Sequence, residues 1–261
     1  MPTIKAADGC RIHVEIEGPE RAPALMLSNS LGTDLAMWDP QVQAFSRNFR
    51  LVRYDRRGHG RSDAPKGPYT MEQLGRDALA IMDALGLAKV NWCGLSMGGM
   101  VGQWLGANAP ERIDRLVLSN TSCYYPVKAP WDERIAAVRK GGVEAVADAG
   151  LGRWFSPDFR ERAPDVMAHM RAMMVATPVE GYVGCCEAVR DMDHREILAR
   201  IKAPTLVIAG RYDLATPIEA AEYIRSRIPG AALTVIEAAH ISNVEQPAAY
   251  TSEVLGFLTQ K

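Results

Sequence analysis

The strongest constraint on what this chain can fold into is a rhythm of short apolar or β-branched runs, at 12–17, 24–28, 50–54, 90–95, 116–119, 204–209 and 232–236. Most are apolar throughout instead of alternating, the pattern of strands covered on both faces by helices, so a largely parallel sheet is expected. Helical spacing fills gaps between them: Leu74, Ala78, Ile81, Met82 and Leu85 recur on one face, and Gly86 supplies a stop. The rhythm fails after Ser122. From 131 to 201 there is no convincing strand, only amphipathic stretches such as 162–175 and 178–192, before Lys202-Ala203-Pro204 leads back into a strand pattern. With 261 residues, the chain reads as one α/β core (1–122 and 202–261) with helices on both sheet faces, interrupted by a helical cap (123–201).

Charge narrows the partners. Thirty Lys+Arg against 31 Asp+Glu leave a net charge of −1, so there is no basic field for a nucleic acid or an anionic membrane surface, and neither is expected as a partner. No apolar run approaches the roughly 18 residues that span a bilayer, and the first residues lack a signal-peptide core. Cys10, Cys93, Cys123, Cys185 and Cys186 are odd in number and show no Cys-x-x-Cys spacing, which points to a reducing, cytoplasmic setting.

The chemistry is concentrated at Gly94-Leu95-Ser96-Met97-Gly98, which ends a strand and opens a helical stretch. A serine on so sharp a turn needs glycines two positions to either side, and the strain lifts its Oγ into the open. A hydroxyl is too weakly acidic to attack unaided, so a histidine base and an orienting carboxylate are required, in the chain order acid then histidine. Of five histidines, His13 and His59 precede Ser96, while His169 and His194 fall inside the expected cap. His240 alone follows the last strand. Asp213, in Gly210-Arg211-Tyr212-Asp213, is the matching acid, with Glu237 as a weaker rival.

Negative charge developing on a carbonyl needs N–H donors, and the Met97 N–H at the helix start is one. The second is expected from the loop Ser28-Asn29-Ser30-Leu31-Gly32-Thr33, by register from Ser30, with Leu31 as the neighbouring possibility. The charged, glycine-rich segment 54–63 reads as a structural turn that satisfies its own backbone, not as an anion site. Met167, Met170 and Met174 recur at helical spacing and read as core.

These pieces, together with Met37-Trp38, Tyr54-Asp55-Arg56-Arg57-Gly58-His59-Gly60 and Ala239-His240-Ile241-Ser242-Asn243, resemble the α/β-hydrolase superfamily and, within it, the 3-oxoadipate enol-lactonases. The likeness spans nearly the whole chain. It implies opening of a small-molecule enol-lactone to 3-oxoadipate in aromatic catabolism, through an acyl-enzyme on Ser96, with no metal or organic cofactor. A lactonase must also hold its substrate's carboxylate, and the expected cap offers Arg134, with Trp131 and Trp154; Leu31 is expected at the substrate from the core side. Other carboxylesterase, perhydrolase or carbon–carbon hydrolase chemistry would use the same groups, and a non-catalytic receptor could retain them. Dehalogenases and epoxide hydrolases of this fold instead carry aspartate at the position of Ser96.

Overall fold

The computed structural model describes residues 3–260. Eight strands form one sheet: β1 (Thr3–Lys5), β2 (Arg11–Glu17), β3 (Ala24–Ser28), β4 (Arg50–Tyr54), β5 (Val90–Leu95), β6 (Ile113–Ser119), β7 (Thr205–Gly210) and β8 (Ala232–Ile236). Their order is β1-β2-β4-β3-β5-β6-β7-β8. β1 and β2 join antiparallel, and from β4 to β8 every neighbour is parallel. Every residue of β3, β5 and β7 is buried, which is why those runs lack alternation.

Between the early strands lie α1 (Asp39–Phe45), α2 (Met71–Ala84) and α3 (Met97–Asn108). The Thr70 hydroxyl caps α2 by accepting the Gln73 N–H at 3.0 Å, and Gly86, at φ 66°, turns the chain away after it. Between β6 and β7 come five helices and no strand among the described residues: α4 (Ala129–Gly141), α5 (Glu144–Trp154), α6 (Pro157–Arg162), α7 (Pro164–Val175) and α8 (Val179–Asp191). The chain closes with α9 (Ile218–Arg227), α10 (Ser242–Glu245) and α11 (Pro247–Leu258).

Two local expectations are corrected, and one strand carries no sequence signal. β1 is a three-residue edge strand, too short to carry a period. β6 starts at Ile113 instead of 116: Asp114 and Arg115 interrupt its apolar run, and the pairing with β5 shifts register across them, from Val90–Ile113 to Trp92–Leu116. The helix expected over 162–175 is broken at Ala163, which leaves the helical region at φ −130° and ψ 55° because Pro164 disfavours a helical residue before it.

Parallel strands all end on one side of the sheet. The loop after β3, Ser96 after β5, Asp213 after β7 and His240 after β8 therefore meet at the carboxyl edge, where open α/β sheets bind ligands.

Candidate active site

Ser96 sits between β5 and α3 at φ 57° and ψ −115°, a conformation L residues avoid. The turn is tight: a Cβ on Gly94 would strike the Gly98 backbone, and one on Gly98 would strike the Ser28 backbone. The Ser96 N–H is tied to the Ser119 carbonyl at 2.8 Å, so the neighbouring strand holds the strained residue in place.

The Ser96 hydroxyl lies 2.9 Å from His240 Nε2, and His240 Nδ1 lies 2.8 Å from Asp213 Oδ2. All three residues are buried. Asp213 accepts throughout: from Ala215 N–H at 2.8 Å, Thr216 N–H at 2.9 Å, the Thr216 hydroxyl at 2.6 Å and Asn120 Nδ2 at 3.1 Å. Burial pushes its pKa up, but the charge of His240 and these bonds outweigh burial and hold the carboxyl below its ordinary value. Nδ1 must then carry the histidine's proton, leaving Nε2 free to accept from Ser96. Glu237 is exposed and engaged with Arg211 Nε at 3.0 Å and the Tyr212 hydroxyl at 2.8 Å, which removes it as the acid. Asn120, unmarked by any sequence signal, bridges the acid to the Ala239 carbonyl at 3.2 Å.

The loop after β3 corrects the register of the second N–H donor. The Ser30 N–H is directed to Met37 Sδ at 3.3 Å and the Gly32 N–H to His59 Nε2 at 2.9 Å. Arg56 Nη2 and the Gly98 N–H both reach the Asn29 carbonyl, the latter at 3.0 Å. Between these anchors the Leu31 N–H has no protein acceptor among the described residues. It joins the Met97 N–H, which as the first in α3 has no intrahelical partner. The segment 54–63 is thus structural, as expected, and it buttresses this loop.

His59 can accept from Gly32 only while its Nε2 is unprotonated. Burial first, and then the charge of Arg56, pull its pKa from 6.5 to about 3; burial likewise pulls His194 from 6.5 to about 4. Both rings stay neutral when folded and take up protons near 6.5 once unfolded, so the unfolded state binds more protons below that pH and folding weakens as pH falls. Each ring contributes about 1.4 kcal/mol per pH unit in that window, so urea unfolding at pH 5 is expected to show a stability about 3–4 kcal/mol below that at pH 7. Equal stability at the two pH values would contradict this.

A cavity of about 220 Å³ opens over Ser96 and His240. Ser30, Leu31, Trp131, Arg134 and Trp154 all line it. Arg134 stacks over Trp131 with its guanidinium carbon 4.4 Å from the ring centre. Arg153 lines the same cavity and was not anticipated. Burial and the like charge of Arg134 draw its pKa below the ordinary value, as befits a guanidinium with no counter-ion; no carboxylate pairs with either arginine among the described residues. Met174, expected in the core, is buried and also forms part of this wall. Among the described residues there is no cluster of His, Cys, Asp or Glu suited to a metal ion, and no helix long and apolar enough to cross a membrane.

A sheet whose carboxyl edge carries a strained serine, a buried histidine and an ionised aspartate defines an α/β hydrolase. The model of the alpha/beta hydrolase fold family matches residues 23–247, and the chain belongs to that family. Within it, the chain is similar to 3-oxoadipate enol-lactonase 2 of Acinetobacter baylyi, at 40% identity over 91% of this chain and 89% of the relative. It is also similar to two solved structures. The enol-lactonase from Burkholderia xenovorans LB400 superposes with a TM-score of 0.97 at 46% identity, covering 99% of this chain and 100% of that one. A hydrolase from Pseudomonas aeruginosa PA01 gives a TM-score of 0.97 at 48% identity, covering 99% and 98%.

Proposed function

We propose that this chain hydrolyses 3-oxoadipate enol-lactone to 3-oxoadipate, with 123–201 acting as a cap over the core formed by 1–122 and 202–261. The observation that carries the reading is one cavity holding both the Ser96–His240 pair and two guanidiniums without counter-ions. Such a site suits an acyl substrate that bears a carboxylate away from the reacting carbonyl. The enol-lactonase relatives support this substrate class. Five free thiols support a cytoplasmic location.

In the mechanism, Ser96 Oγ bonds to the lactone carbonyl carbon as its proton passes to His240 Nε2. The carbonyl oxygen takes the charge and is held by the Met97 and Leu31 N–H groups. Collapse breaks the ring C–O bond; its electron pair leaves on the enol oxygen, which takes the proton from His240 and tautomerises to the ketone. Water then attacks the acyl-enzyme while giving a proton to His240, and that proton returns to Ser96 as the acid is released. One water is consumed. Asp213 keeps Nδ1 protonated and steadies the imidazolium. Arg134 and Arg153 hold the substrate's carboxylate, with Trp131, Trp154 and Leu31 walling the ring.

The test is turnover of the enol-lactone beside a neutral aryl ester. Rapid lactone hydrolysis supports the reading; ester cleavage without lactone cleavage rejects the substrate, and turnover of neither rejects catalysis. In Arg153→Met, loss of a charge-assisted bond worth about 1.5–3 kcal/mol is expected to lower kcat/KM for the lactone by about 10–100-fold. Most of that loss should appear in KM, with the aryl ester little changed. Equal losses on both substrates would assign Arg153 a structural role.

A further inference from the structure

The peptide carrying His240 is fastened to the helical segment on both sides of the imidazole. The Ile241 N–H donates to the Trp154 carbonyl at 3.0 Å, and the Ala239 N–H donates to Glu245 Oε2 at 2.9 Å. Glu245 completes the second tie: its Oε1 accepts the Ser156 hydroxyl, and Oε2 lies 3.4 Å from the Ser156 N–H. Glu245 is only 4% exposed and makes no ion pair among the described residues. A carboxylate taken out of water without a cation is held by the donors aimed at it. Here those donors are a neighbour of His240 and Ser156.

Residues 154–156 adjoin Arg153, and Arg153 and Trp154 form part of the cavity wall. The imidazole and the wall that receives the substrate therefore share one anchorage. His240 Nε2 must stay within hydrogen-bond reach of Ser96, and a displacement of about 1 Å at such a contact costs about 100-fold in rate.

We infer that Glu245 is a positioning residue: by bridging Ala239 to Ser156 it registers the His240 loop against the wall of the cavity, so that Nε2 faces the Ser96 hydroxyl. It touches no substrate and acts through His240. The inference rests on the catalytic reading of Ser96 and His240.

The test compares wild type, Ser96→Ala, Glu245→Ala, Glu245→Gln and Glu245→Asp in aryl-ester hydrolysis and in labelling of the serine by a fluorophosphonate, neither of which depends on the natural substrate. Glu245→Ala is expected to lower kcat and the labelling rate by about 10–100-fold with KM within about threefold. Glu245→Gln should recover to within about threefold of wild type, because its carbonyl can accept from Ala239 while its amide donates to the Ser156 oxygen. Glu245→Asp, a methylene too short to reach both partners, should be impaired about 10-fold; it decides the matter if the alanine variant fails to fold. Unchanged kcat in the Ala and Asp variants, a change in KM alone, or a Gln variant as impaired as Ala would overturn the inference. Persistent activity and labelling in Ser96→Ala would instead overturn the catalytic reading beneath it.

Discussion

Replacing Ser96 by alanine is expected to lower kcat by about 10⁴–10⁶-fold, since a triad without its nucleophile retains only binding and oxyanion stabilisation. The loss should be of the same order for the lactone and the aryl ester, because both substrates need the same bond to Oγ. Thermal stability should scarcely move, as the methyl group keeps the Cβ and loses one hydroxyl contact to His240. Ser96→Gly separates chemistry from strain. At φ 57° and ψ −115° a side chain is costly and glycine is not, and residues so held store about 1–3 kcal/mol. Glycine's greater freedom in the unfolded chain offsets part of that gain, so this variant should be inactive yet about 1 kcal/mol more stable than Ser96→Ala in urea titration. A glycine variant less stable than the alanine variant would show that the elbow is relaxed. Residual turnover above a few per cent in either variant would remove Ser96 as the nucleophile.

The elbow was legible because sterics restrict what can flank such a serine: Gly94 and Gly98 face backbone where other residues would carry a Cβ. The parallel strands were legible because burial on both faces leaves no polar alternation. Asp213 and His240 followed from chain order and from their position just past apolar runs. Arg153 was not legible. It lies in the last turn of α5, where a cation normally answers the helix dipole, and only the packing of α5 against the cavity reveals that it has no counter-ion. The choice between the Ser30 and Leu31 N–H groups was not legible, because a loop has no period to fix its register. The acceptor that occupies the Ser30 N–H is a thioether seven residues on, Met37, which no local pattern marks. Asn120 and Glu245 act through contacts with residues 93 and 89 positions away, beyond the reach of motif reading.

Asp213→Asn should be nearly as damaging as loss of the nucleophile, with kcat lowered by about 10⁴-fold. The reason lies in the count of donors. Both carboxylate oxygens accept only: Oδ1 from the N–H groups of Ala215 and Thr216, Oδ2 from His240, Thr216 and Asn120. An amide offers one acceptor atom, and its NH₂ must face one of these sets. Turned toward the backbone, it would oppose two N–H groups that cannot rotate away. Turned toward His240, it opposes an Nδ1–H, a hydroxyl and the Asn120 amide; the hydroxyl can rotate, Asn120 keeps its bond to the Ala239 carbonyl, and the imidazole can respond by moving its proton to Nε2. The second arrangement is cheaper, and it leaves Nε2–H pointing at Ser96, unable to take the serine proton. The variant should therefore fold and bind substrate with a KM near that of wild type while kcat collapses, since the tautomer bears on the transition state and not on the cavity wall. Kinetics on the lactone, with a calorimetric melt to confirm folding, would check this. A variant retaining more than about a tenth of wild-type kcat would mean that Asp213 does not set the tautomer, because a misplaced proton on the base permits no such residue of activity.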